Sequence, residues 1–302
     1  MKKSLVALAA LAVVGAASAQ SSVTLYGVVD AGVARLTGTK MQMTGSGLMN
    51  NGTSRFGFKG SEDLGGGLKA GFNMEAGFDP ETGAGNFSGG NLFSRAANVS
   101  LAGAFGEVRL GRSLTPSFYG VAAWELTGTA NYSVVASQFS FAGVGPRQSS
   151  QFMYSSPNFS GFSAALAYTT KQDNVNAKTD LNAVYAAGPV TAALSVNKTT
   201  GTGSNVALGG KYDFGMFQVA GSLQDPTGSS KGWTLGAGAN VGPVSLVLDI
   251  ARDTFFKDTN VLLEAKYPLS KRTFAYAAYL NDGARTGVAK TRGASVGLRH
   301  NF

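Results

Sequence analysis

Past residue 20 the chain alternates apolar with polar, charged or glycine residues at a period of two, with no helical segment between the alternating stretches. Such a period places the two sets of side chains on opposite faces of an extended strand, so each stretch has one greasy and one wet side. Val23, Leu25, Val29 and Val33 share one parity, with Thr24, Tyr26 and Asp30 on the other. Phe56 and Phe58 oppose Arg55, Gly57 and Lys59; Leu68, Ala70, Phe72, Met74 and Phe78 oppose Lys69, Asn73 and Glu75. Val190, Ala192, Leu194 and Val196 oppose Thr191, Ser195 and Asn197. Phe274, Tyr276 and Leu280 oppose Thr273 and Tyr279, which would turn Tyr279 inward. No stretch reaches the roughly 18 consecutive apolar residues that a membrane helix requires. Glycine, 42 of 302 residues, further disfavours helix interiors.

The connections alternate too. Short ones at 62–67, 103–106, 155–161, 188–189, 213–216, 242–243 and 268–272 interleave with longer, more polar ones at 34–52, 79–91, 113–146, 169–179, 198–204, 224–231, 252–258 and 281–290. Seven short and eight long connections join sixteen strands. Tight turns at one end and long loops at the other mark an outer-membrane barrel. The expected fold is all-β, a transmembrane 16-stranded antiparallel β-barrel, and sixteen strands enclose an aqueous lumen where eight would be filled by side chains.

The first residues give the address. Lys2 and Lys3 precede an apolar run at 4–16, and Ala17, Ser18 and Ala19 form a small-residue cleavage site, the pattern of a secretory signal peptide. Residues 1–19 are therefore expected to be removed after Ala19, leaving 20–302 as the barrel domain, with export to the outer membrane. Cysteine is absent, so an exported chain must be held by its inter-strand hydrogen bonds. The formal charge of +8, or +6 once Lys2 and Lys3 are lost, comes from basic residues scattered singly among strands. That scatter argues against a nucleic-acid partner. His300, the one histidine, lies on the outward parity of the last strand, so neither a Ser-His-Asp site nor a histidine-rich metal site is expected. No phosphate or dinucleotide fingerprint is present. The expectation is no enzyme, no cofactor and no metal.

A passive channel needs only a constriction of defined size and charge. Arg55, Arg95 and Arg147 stand seven, eight and eight residues before the short turns at 62, 103 and 155. All three should reach roughly 20 Å above the short-turn rim, near mid-barrel. Parity turns Arg55 and Lys59 inward against Phe56 and Phe58, and Arg147 and Gln151 inward against Phe152 and Tyr154. Arg95 shares parity with the outward Val99 and Leu101 and needs a bulge, or a strand at a subunit interface, to face the lumen. The connection 113–146 is far longer than a hairpin needs and carries Phe118, Tyr119, Trp124 and Phe141 with one carboxylate, Glu125. A segment so aromatic is expected to fold into the lumen, leaving a constriction of Arg55, Lys59, Arg95, Arg147 and Glu125 that is net positive and prefers small anions. Alternatives are a weakly selective channel, with Glu125, Glu75 and Glu264 neutralising the belt, a substrate-specific channel for sugars or organic acids, and a plugged structural barrel. Arg112 shares the outward parity of Val108 and Leu110, where an unpaired charge costs up to ~2–4 kcal/mol at the midplane.

The opening SSVTLYGVVDAGV, the segments SRFGFKGSEDLGGGLKAGFNMEAGFD and RAANVSLAGAFGEVRLGR, and the ending GASVGLRHNF resemble the general porins of β-proteobacteria and their Neisseria relatives. The resemblance covers both ends and the first third by word and the middle by pattern. It implies a homotrimer of 16-stranded barrels in outer-membrane lipid and lipopolysaccharide, passing small hydrophilic solutes with frequent anion preference and an inward-folded third external loop. It favours an inward Arg95, and it implies that Phe302 is an assembly signal read by the barrel-insertion machinery. In a trimer, Arg112 could pair with Asp79 or Glu81 of a neighbouring subunit; otherwise it is solvated past the strand's end.

Overall fold

The computed structural model describes residues 22–85, 90–171, 176–228, 230–283 and 290–302. The expected leader, 1–19, and its cleavage after Ala19 lie outside the described residues. The strands are β1 (Ser22–Leu36), β2 (Gln42–Gly45), β3 (Arg55–Gly65), β4 (Leu68–Gly77), β5 (Ala96–Gly103), β6 (Gly106–Leu114), β7 (Arg147–Ser155), β8 (Phe162–Thr169) and β9 (Lys178–Ala187). They continue with β10 (Val190–Thr199), β11 (Ser204–Asp213), β12 (Phe217–Asp225), β13 (Gly232–Val241), β14 (Val244–Asp253), β15 (Asp258–Pro268), β16 (Thr273–Asp282) and β17 (Thr291–Asn301). From β3 onward each strand pairs antiparallel with the next in the chain, β2 and β3 both pair with β1, and β17 returns to β1 with Val28 opposite Asn301 and Leu36 opposite Gly293. The sheet therefore closes and leaves no edge, the condition for strands to cross a bilayer. The last residue completes the seam. Gly27 and Phe302 exchange both backbone hydrogen bonds at 3.0 Å, and the Phe302 ring covers Gly27 so closely that a side chain there would collide with it.

Among the described residues seventeen strands occupy sixteen positions because β2 and β3 lie end to end along one edge of β1: Gly45 faces Ala31, and Arg55 faces Val28. The connection expected at 34–52 thus resolves into a tight hairpin, closed by Thr39 N–H to Leu36 O at 3.0 Å, then β2, then an excursion at 46–54. That excursion leaves a gap in the ladder opposite Asp30, and a side chain fills it. Ser54 Oγ accepts from Asp30 N (2.9 Å) and donates to Asp30 O (3.2 Å). A buried backbone group left unpaired costs about 1–3 kcal/mol, so a hydroxyl at this point preserves the wall.

The outward faces carry Leu25, Phe58, Val99, Leu101, Phe152, Leu166, Leu208, Leu235, Leu263 and Val296, all solvent-exposed in the isolated chain. The buried inner face is largely polar, with Asp30, Asn182, Ser195, Asn197, Asp249, Glu264 and Ser295. In β16 the facing differs from expectation: Tyr276, Ala278 and Leu280 point in and are buried, while Tyr279 points out. Here the lumen itself is greasy, because Tyr276, Leu262 and Leu280 pack with Met49, Val121, Trp124, Tyr132 and Val134 from segments that enter the barrel. With two apolar faces, period two no longer says which one is wet.

Candidate functional site

Two segments narrow the lumen. The longer leaves β6 and forms a helix, Pro116–Trp124, whose N-cap Thr115 accepts from Phe118 N at 3.1 Å with proline in the first turn. Ser117 Oγ donates to Asp180 Oδ1 (2.6 Å) and Asn182 Nδ2 donates to Pro116 O (2.7 Å), which locks the helix onto the inner face of β9. Its last residue, Trp124, lays its indole against Gly209 of β11, where any Cβ would meet the ring. A second short helix, Val134–Gln138, lies over β14 and β15. Between the helices Lys266 Nζ donates to Thr127 O (2.7 Å) and Tyr132 Oη donates to Glu264 Oε2 (2.6 Å). Burial, with Glu264 alongside, pushes the Tyr132 phenol above its ordinary range, so it stays a donor. The segment crosses the lumen, and each of Trp124, Tyr132, Val121 and Val134 is buried against it or the wall, a gain of about 1.5–3 kcal/mol per large apolar side chain.

The excursion at 46–54 forms the second inward segment. Its Asn50 is fully buried and Met49 nearly so. Asp30 anchors it, accepting from Gly52 N (2.8 Å), Asn50 Nδ2 (3.0 Å) and Tyr276 Oη (2.6 Å). The two segments also bind each other: Asn131 N donates to Asn51 O (3.2 Å), and Asn131 Nδ2 to Gly47 O (3.0 Å).

Between these segments and the wall lies a cavity of about 530 Å³ lined by four guanidinium groups, Arg55, Arg95, Arg147 and Arg299, and by Glu75. Glu75 binds Arg95 Nε at 2.7 Å and lies 3.6 Å from Arg55 Nε, and it accepts from Tyr26 Oη at 3.0 Å. The other contacts that aim the arginines are to neutral acceptors: Arg55 Nη1 to Thr53 O (2.9 Å), Arg147 Nε to Arg95 O (3.0 Å) and Arg299 Nη1 to Asn51 Oδ1 (2.7 Å). Among the described residues lining this cavity, four positive charges face one negative charge.

Arg55, Arg95 and Arg147 thus come together as their heights along the strands suggest, though two arrive by other routes. Arg95 stands just before β5 and donates its backbone N–H to Glu75 O (3.2 Å), so strand parity does not govern it and no bulge in β5 is needed. In β7, by contrast, an extra residue enters between Gln148 and Gln151, with Ser150 at φ 50°, and breaks the alternation that leads back to Arg147. Lys59 faces inward but belongs to a separate cavity of about 500 Å³ with Lys69 and Arg109, its Nζ 5.2 Å above the Tyr26 ring. Glu125 does not line the arginine cavity. It is 4% exposed and accepts from Ser133 Oγ (2.7 Å), Thr129 N (2.6 Å) and Thr127 Oγ1, so it braces the turn of its own segment. The carboxylate at the arginines comes from the wall instead. Arg112 donates to Ser94 O and to Ser149 Oγ (2.8 Å), while Asp79 Oδ1 accepts from Glu81 N (2.9 Å). Sequence reasoning missed Arg299 and Asn51. Arg299 was readable, since its parity in the last strand is opposite to that of Val296 and Leu298. Asn51 carried no signal.

The profile of the Gram-negative porin family matches residues 5–287. Outer membrane porin protein 32 of Delftia acidovorans is 36% identical over 355 residues, covering all of both chains. An outer membrane porin protein of Bordetella pertussis is 29% identical, again over both full lengths. Among solved structures, an anion-selective porin from Comamonas acidovorans superposes with a TM-score of 0.75 at 29% identity, covering 94% of this chain and 100% of that one.

Proposed function

The chain belongs to the Gram-negative porin family, and from that premise we propose that it is a passive outer-membrane channel for small hydrophilic solutes that prefers anions. The observation that carries the preference is the cavity with four arginines around a single glutamate. In a narrow aqueous passage fixed cations replace part of an anion's hydration and repel cations, without any chemical step. The anion selectivity of the Comamonas porin supports the same reading. No catalytic role is assigned: His300 shares a 2.8 Å hydrogen bond with Thr273 and lies on the outward parity of β17. We extend the reading to a homotrimer set in lipid and lipopolysaccharide, in which Arg112 reaches a carboxylate of a neighbouring subunit, Asp79 or Glu81.

The test is the reversal potential of the purified protein in a planar bilayer across a KCl gradient. A potential of the sign set by chloride is expected. One set by potassium would refute the preference while leaving the channel itself intact.

A further inference from the structure

Asn51 sits between two groups of opposite charge. Its Oδ1 accepts from Arg299 Nη1 at 2.7 Å, and its Nδ2 donates to Glu264 Oε2 at 3.2 Å and to Tyr132 Oη at 2.9 Å. The guanidinium and the carboxylate grip opposite ends of one amide and so lie no more than about 8 Å apart. Arg299 lines the arginine cavity; Glu264 is buried behind it, held also by Tyr132 and by Lys266 Nζ at 2.9 Å. Asp30, a second carboxylate near Arg299, already has three donors. Without the Asn51 amide, Glu264 loses one of its three donors while Asp30 keeps all of its own, so Glu264 has the open acceptor site for Arg299, a flexible side chain that spans such a distance.

We propose that Asn51 is a selectivity-setting positioning residue, a neutral amide insulator that holds the Arg299 guanidinium on the passage and off the Glu264 carboxylate. Its place depends on the break in the wall between β2 and β3. The excursion at 46–54 brings the amide into the lumen, and Asp30 and Asn131 hold the backbone on either side. Asn51 carries no charge itself; it decides whether a charge on the last strand of the barrel is available to a passing ion.

This inference rests on the anion-preferring reading of the lumen. The experiment measures chloride-over-potassium permeability for the wild-type chain and for Asn51→Ala, Arg299→Gln, Asn51→Ala/Arg299→Gln and Asn51→Ala/Glu264→Gln, with thermal unfolding in detergent recorded alongside. Asn51→Ala is expected to lower the ratio about three- to tenfold, the effect of removing one charge near the path. Adding Glu264→Gln restores the ratio, because no carboxylate remains to capture Arg299. Adding Arg299→Gln to Asn51→Ala lowers it no further than Arg299→Gln alone. A lowered melting temperature without a change in ratio overturns the proposal, as does a lowered ratio that Glu264→Gln fails to restore. If Asn51→Ala does not insert, Asn51→Gln, which keeps the amide, must retain the wild-type ratio. A wild-type channel without anion preference would sink the parent reading, whereas an anion-preferring channel indifferent to Asn51 sinks this inference alone.

Discussion

Replacing Glu75 by glutamine should move selectivity and stability in opposite directions. Glu75 is the lone carboxylate lining the arginine cavity among the described residues, at 2.7 Å from Arg95 and 3.6 Å from Arg55. For an ion passing about 7 Å from that carboxylate, the interaction in water-like dielectric is about 0.6 kcal/mol. Removing the charge helps an anion by that amount and hinders a cation equally, a difference of about 1.2 kcal/mol, or roughly sevenfold in chloride-over-potassium permeability. The same change leaves Arg55 and Arg95 without their counter-ion. Their side chains retain 23% and 16% of full exposure, so lumen water softens the loss, and about 1–3 kcal/mol of stability is expected to go instead of the 3–5 kcal/mol of a dry pair. Glutamine preserves the acceptor for Tyr26 and the volume, so the barrel should still assemble. Reversal potentials in a KCl gradient read the first effect, and thermal unfolding in detergent reads the second. A ratio that stays level or falls would show that Glu75 does not face the permeating ion.

Three further perturbations probe the elements that hold the constriction. Asp30→Ala removes the acceptor of three buried donors and should cost about 3 kcal/mol and raise single-channel conductance, since the excursion at 46–54 loses its anchor; unchanged conductance would show that this segment does not narrow the passage. Gly209→Leu leaves no room for the Trp124 indole, so the helix Pro116–Trp124 should lift from the wall, with ~2–4 kcal/mol of stability lost and noisier, larger single-channel currents; quiet wild-type currents would contradict the packing. Arg112→Ala should lower the temperature at which the detergent-resistant trimer dissociates, and no shift would mean that Ser94 and Ser149 account for all that this side chain does.

The barrel was legible because its evidence is repeated: each strand states its two faces again, and an error at one strand does not propagate. Sixteen wall positions follow from connections that alternate in length, and a strand of four residues, β2, escaped notice since it has too few positions to show a period. The site was legible where side chains obey parity, as with Arg55, and opaque where the chain leaves the lattice. Arg95 lies outside its strand, Arg147 lies past a one-residue bulge, and Glu125 is turned by three local donors that no spacing announces. The inner face of β16 misled for a different reason. Hydrophobic patterning reports contact with something apolar, and Tyr276 and Leu280 meet it inside the barrel, where the folded-in segments supply it.

The union of Gly27 with Phe302 has a temporal side. The two partners stand at opposite ends of the barrel domain, so one edge of the first strand stays unmated until the last strand docks. Until then both margins of an assembling sheet can stick to any other extended chain. A version cut short by one strand is therefore not a slightly smaller tunnel; it is an open ribbon with two unpaired borders.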